Sequence, residues 1–225
     1  MTKKTALVLG ATGVVGTQLL KRLCTSKDYQ TIHLFTRREL EYKDSVCKVH
    51  IVDFNNMKEF ADLFHVNDVF ICLGTTIKKA KSKEAFRKVD YDYVVEAGKL
   101  AKAANVENVL VISAIGADSK SSFFYSRVKG DMEEILKQLK LNSLHIFRPS
   151  LLIGERKELR IGEKISGKLS SIFKFLLVGP LRPYRAIHVE TVATAMSIAA
   201  KSITSGNHVY QSNEIEELAN ERELY

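Results

Sequence analysis

The sequence predicts an α/β protein: one doubly wound parallel sheet covered by helices on both faces, with a small C-terminal extension on the substrate side. Three observations predict it. Short β-branched runs alternate with longer amphipathic stretches, the first run breaks into a glycine-rich turn, and most residues of those runs are apolar. Strands that alternate with helices join in parallel through right-handed crossovers, and strands covered on both faces are apolar on both sides.

Taken in order, strands are expected at residues 5–9, 31–35, 49–52, 68–72, 108–113 and 143–147, and helices at 13–24, 57–64, 83–104 and 123–139. Beyond Arg148 the pattern loosens. Residues 187–189 lead into a helix-like stretch at 190–202, and 208–210 add one more strand. Residues 155–186 and 203–225 read as substrate-side or peripheral extensions of a single domain over 1–225, the first lying over the C-terminal edge of the sheet, where open α/β folds bind ligands.

The bulk composition narrows the class. A chain of 225 residues, 45% hydrophobic and 27% charged with 3 prolines, is long enough to bury its own core. Met1 to Lys4 and the apolar run after them resemble a secretory signal, but Gly10, Gly13 and Gly16 interrupt the run, which reads as a buried first strand. The apolar stretch at 172–178 contains Lys174 and stops at Gly179-Pro180, so no membrane span is expected. Cys24, Cys47 and Cys72 are odd in number, far apart in sequence and without metal-ligand spacing, which fits a reducing cytoplasm. The net charge of +8 comes from scattered lysines without an aromatic-interleaved stripe, so nucleic acid is not an expected partner. The acidic tail at 213–225 makes the rest more basic still, which suits a ligand with several phosphates. A monomer or homodimer acting on a small molecule is expected.

The most specific signal is the turn Gly10-Ala11-Thr12-Gly13-Val14-Val15-Gly16 between the first strand and first helix. Glycines allow the sharp turn, the approach of a phosphate to the backbone and close packing of helix on strand, while the helix N-terminus offers amides and a favourable dipole to a pyrophosphate. This is the pattern of a Rossmann-type dinucleotide site. Where an NAD-binding chain usually carries an acidic residue, the second strand ends in Thr36-Arg37-Arg38, and an arginine there pairs with a 2′-phosphate. NADP(H) is therefore favoured over NAD(H), although Glu39 would serve a ribose in a slightly different register. Asp53 and Phe54 after the third strand, and Leu73, Gly74 and Thr75 after the fourth, complete the expected adenosine and ribose side.

Tyr125 and Lys129 stand four residues apart on one face of the helix after the fifth strand, and that strand ends in Ser113. Together with the glycine turn, the stretch from Val109 to Ala117 and Arg148-Pro149-Ser150, they make residues 5–200 resemble the short-chain dehydrogenase/reductase superfamily. Within it the chain is similar to the atypical NAD(P)H-binding group related to the Tat-interacting oxidoreductase-like proteins. The resemblance implies that Tyr125 donates a proton to a carbonyl oxygen, that Lys129 binds the nicotinamide ribose and favours the phenolate, and that Ser113 orients the carbonyl. Two departures stand out: Val89-Asp90 where conventional members carry a relay asparagine, and Ser150 in place of a glycine.

The remaining candidates have plainer readings. His188 is structural and Cys72 packs in the core; Arg156, Arg160, Arg182 and Arg185 are solvated loop arginines; Phe173, Phe175, Leu176 and Leu177 are core. The leading function is an NADP(H)-dependent oxidoreductase acting on a small carbonyl compound. The alternative is an NADP(H)-binding regulatory or interaction protein with little turnover. A sugar-nucleotide epimerase is a third reading, set back by the short substrate region.

Overall fold

The computed structural model describes residues 3–40, 42, 44–154, 179–202 and 204–221. Seven parallel strands form one sheet: β1 (Lys4–Leu9), β2 (Tyr29–Thr36), β3 (Cys47–Ile51), β4 (Asp68–Ile71), β5 (Asn108–Ile112), β6 (Ser143–Arg148) and β9 (Gly206–Gln211), in the spatial order β3-β2-β1-β4-β5-β6-β9. Their apolar runs explain their place: Ala6 to Leu9, Val69 to Ile71 and Val109 to Val111 are all fully buried. A two-stranded parallel pair, β7 (Leu152–Ile153) with β8 (Ile187–His188), stands apart from the main sheet.

Helices cover both faces. On one lie α1 (Val14–Thr25), α6 (Val189–Ala199) and α7 (Ser212–Asn220), which bury Leu19, Leu23, Val192, Met196 and Ile215 against Val8, Ile32 and Phe70. On the other lie α4 (Tyr93–Ala103) and α5 (Phe124–Gln138), with Val94, Met132 and Leu136 against Leu7, Val69 and Val109. The short α2 (Ile77–Ala80) and α3 (Lys83–Arg87) precede α4.

Two helix expectations need correction. Residues 57–64 are not an α-helix: the segment Phe54–Phe64 consists of 3-10 turns broken at Asn56 and Phe60, started by the Asp53 carboxylate accepting from the Asn55 amide. The stretch 83–104 is α3, a π-helical turn at Lys88–Asp92, and α4. The π-turn has a consequence at the site.

Because every strand of the main sheet runs the same way, the C-terminal ends of all seven lie on one edge, and β1 sits where the strand order reverses. That crevice is where open α/β sheets bind ligands. The expected insertion lies outside the described residues over 155–178, as do Arg156, Arg160, Phe173, Phe175, Leu176 and Leu177, and the tail beyond 221.

Candidate functional site

The glycine turn is fixed by close packing. Gly10 has φ +86°, and a Cβ added there would lie 2.5 Å from the Cys72 carbonyl oxygen; one added at Gly16 would lie 2.2 Å from the Gly10 oxygen. Only glycine meets both demands. α1 then begins at Val14 with Gly13 as its cap and no side-chain hydrogen bond to its first amides. Those amides, at the positive end of the helix dipole, point where a pyrophosphate would sit. Val15 is buried beneath the turn and Thr12 is exposed above it.

The neighbouring strand ends follow in spatial order. Arg37 and Arg38 leave β2 exposed, with the Thr36 hydroxyl donating to the Arg38 carbonyl. Asp53, beyond β3, accepts from Asn55 and Asn56, while the buried Phe54 ring packs on Tyr93 at 5.5 Å. The half-buried Leu73, Gly74 and Thr75 follow β4 on the other side of β1. The edge can therefore seat an extended dinucleotide, with an adenosine end at β2 and β3, its phosphates at β1, and a reactive end at β4 and β5. The uncapped helix start and the close-packed glycines fit such a cofactor.

At the reactive end, Ser113 follows β5, and its buried hydroxyl has no hydrogen-bond partner among the described residues. The Lys129 ammonium lies 3.5 Å from the preceding Ile112 carbonyl. Tyr125, one turn earlier on α5, is half-buried with its ring 5.4 Å from the buried Phe86 of α3. Gly130 lets α5 approach the β5 loop: a Cβ there would lie 2.1 Å from the Ser119 nitrogen. Arg148, at the end of β6, holds the buried Glu133 of α5 through two nitrogens, at 2.9 and 2.6 Å. The helix carrying Tyr125 and Lys129 is thus anchored to the strand ends from both sides.

Asp90 is the residue whose role the sequence did not disclose. The π-turn brings its carboxylate 2.8 Å from Lys129 Nζ, with both side chains buried, and its other oxygen accepts the Thr75 amide at 2.8 Å. Burial favours the neutral amine at Lys129, but the charges of Asp90 and Tyr125 outweigh it and the pKa of Lys129 ends raised. The apparent defect in the relay position is an ion pair. The sequence masks the pairing, because Arg87, Lys88 and Asp92 surround Asp90 with exposed charge.

Ser150, the second departure, is a structural tie: its amide donates to Ser212 Oγ at 2.7 Å and its hydroxyl to the Arg185 carbonyl. His188 is exposed at the start of α6. Burial pushes the Cys72 thiol up to about 12, as suits a packing residue. Arg182 pairs with Glu217 at 3.1 Å. No group of side chains that could hold a metal, and no helix long and apolar enough to cross a membrane, occurs among the described residues.

A parallel sheet with a close-packed glycine turn at its reversal point defines a Rossmann-type dinucleotide-binding fold. More narrowly, the chain belongs to the NAD(P)H-binding family whose model matches residues 10–168. Protein HTATIP2 of Rattus norvegicus is 38% identical over 172 residues, covering 75% of this chain and 71% of the relative. Protein FMP52-1, mitochondrial, of Scheffersomyces stipitis is 32% identical over 225 residues, covering 95% and 97%. Among solved structures, MoeE5 in complex with UDP-glucose and NAD aligns with a TM-score of 0.70 at 16% identity, covering 96% of this chain and 81% of that one. At that identity the likeness shows the shared fold. The expected cytoplasmic location is overturned by the relatives: those from several yeasts are named mitochondrial.

Proposed function

We propose that this protein is an NADP(H)-dependent oxidoreductase that reduces a small carbonyl compound, with Ser113, Tyr125 and Lys129 as its catalytic residues. The observation that carries the reading is the buried Ser113 hydroxyl, which has no hydrogen-bond partner among the described residues. A buried hydroxyl left unpaired is costly, and at the reactive end of a dinucleotide crevice a substrate oxygen is the group that would satisfy it.

The bound cofactor would supply hydride to the carbonyl carbon. Ser113 donates a hydrogen bond to the carbonyl oxygen and fixes its orientation, and Tyr125 delivers the proton as negative charge develops there. Lys129, one turn after Tyr125 and 3.5 Å from the carbonyl that precedes Ser113, binds the nicotinamide ribose. Asp90 acts as a positioning residue: it holds the ammonium by charge where an asparagine would act through a relay, and it ties the Thr75 backbone to the same point. Buried ion pairs add little net stability but fix geometry strongly once formed, because freeing either partner strands a charge. The NADP(H) preference rests on Arg37 and Arg38, both exposed at the adenosine end. The mitochondrial names of the yeast relatives support a mitochondrial setting for this chain as well.

The test is oxidation of NADPH against a panel of aldehydes, ketones and quinones. Tyr125→Phe is expected to lower turnover by about 10²- to 10⁴-fold with NADPH binding unchanged; turnover unaffected by Tyr125→Phe on every active substrate would remove the acid role. In fluorescence titrations, Arg37→Glu is expected to weaken NADPH binding by more than about tenfold, the loss of a charge-assisted contact of about 1.5–3 kcal/mol, and NADH binding far less. Equal weakening of both would remove the 2′-phosphate assignment.

A further inference from the structure

The three cysteines, spread widely along the sequence, are not equivalent in space. Cys24, in the last turn of α1, and Cys47, the first residue of β3, bring their sulfurs to 3.3 Å across 23 positions of chain. Both are partly exposed free thiols. The Tyr42 hydroxyl lies 4.0 Å from Cys24 Sγ, and Leu40, Tyr42 and Val46 pack on the same core cluster as the two cysteines. β3 is an edge strand with β2 as its one neighbour in the sheet.

We propose that Cys24 and Cys47 are a modification site: a dithiol that low-molecular-weight disulfides such as glutathione disulfide convert reversibly to an intramolecular disulfide. A disulfide has an S–S length of about 2.05 Å, so closure asks for a little over about 1 Å of approach. The first residue of an edge strand, entered from a loop, is well placed to give it. The closed ring contains all of β2 together with Arg37 and Arg38, and so restrains the limb on which the proposed NADP(H) preference depends.

The exchange proceeds in two steps. Burial raises the pKa of both, and Asp44 adds to it, so each sulfur reacts through the small fraction present as thiolate. Either sulfur can open the exchange, since the two lie in mutual contact and both are partly exposed. Where Cys24 opens it, its thiolate attacks one sulfur of glutathione disulfide, that S–S bond breaks, and one glutathione leaves and takes up a proton. Cys47 then attacks the Cys24 sulfur of the mixed disulfide, and the second glutathione leaves with the Cys47 proton. Two protein thiols are oxidised and one glutathione disulfide is reduced to two glutathiones.

The test treats the full chain with glutathione disulfide, blocks remaining thiols by alkylation and maps peptides without reduction. The expected result is a loss of two hydrogens, one Cys24 to Cys47 cross-linked peptide, an alkylated Cys72, and full reversal by dithiothreitol. Cys47→Ser should trap a stable glutathione adduct on Cys24, and Cys24→Ser one on Cys47, because neither variant keeps the thiol that resolves the mixed disulfide. A cross-link through Cys72, stable glutathione on both cysteines of the wild type, or no modification of protein that remains folded by circular dichroism would each overturn the proposal. The wild-type map decides the matter even where a variant folds poorly.

Discussion

At the N-terminal edge of the sheet, the fully buried Asp68 carboxylate accepts from the Tyr29 hydroxyl and the Asn108 amide, each at 2.7 Å, and from the Lys4 ammonium at 3.3 Å. At the C-terminal edge the buried Asp90 carboxylate holds Lys129 and the Thr75 amide, and the Ser113 hydroxyl beyond β5 has no partner among the described residues. A cleft of about 960 Å³ opens at the first edge, lined by Lys4, Tyr29, Asn108, Ser143 and Lys201, yet the buried polar groups at its base satisfy one another. Cavity size is thus a poor guide here. Both edges bury a carboxylate, but one closes its hydrogen bonds within the fold, and the other leaves a donor for something outside it.

If that contrast is right, changes at the two edges should separate stability from function. The largest effect on stability is expected from Asp68→Ala, which leaves the Tyr29 hydroxyl and the Asn108 amide without their shared acceptor and should cost about 3 kcal/mol or more in urea unfolding. NADPH affinity of the folded protein should not change. A stable variant with weakened NADPH binding would reverse the roles assigned to the edges.

A similar loss should come from pH alone. His145 on β6 is buried between Ser143 Oγ at 2.8 Å and the Tyr210 hydroxyl of β9 at 3.0 Å, and its ring stacks on His208. Burial, helped by His208, holds its pKa down at about 4, against about 6.5 in an unfolded chain. The unfolded state binds the proton more readily between those values, so this contribution is complete above about pH 6.5 and is lost as pH falls toward about 4, at most about 3 kcal/mol. Urea midpoints of the wild type should fall across that window more steeply than those of His145→Phe. Parallel curves would show that the seam between β6 and β9 does not depend on a neutral His145.

The same contrast explains what could be read from the sequence. The glycine turn, the strand ends carrying Arg37, Asp53, Gly74 and Ser113, and the face shared by Tyr125 and Lys129 depend on local spacing, so the parallel sheet and the edge that gathers these residues were legible. Asp90 was visible only as a missing asparagine. Its pairing with Lys129 depends on a π-turn, which inserts a residue into the helical repeat and changes where a side chain points without marking the apolar pattern. The segment Phe54–Phe64 has an amphipathic pattern that 3-10 turns satisfy as well as an α-helix does. The contact of Cys24 with Cys47 joins the last turn of α1 to the first residue of β3, and spacing along the chain does not encode it.

The most direct test of the central claim is Ser113→Ala, measured for urea stability and NADPH-dependent carbonyl reduction on the same preparation. Removing a buried hydroxyl that has no partner should leave stability unchanged or slightly raised. Loss of the group that orients the substrate oxygen should lower turnover about 10²-fold or more. A variant that loses stability and keeps full turnover would show that the Ser113 hydroxyl serves the fold, and would contradict the account.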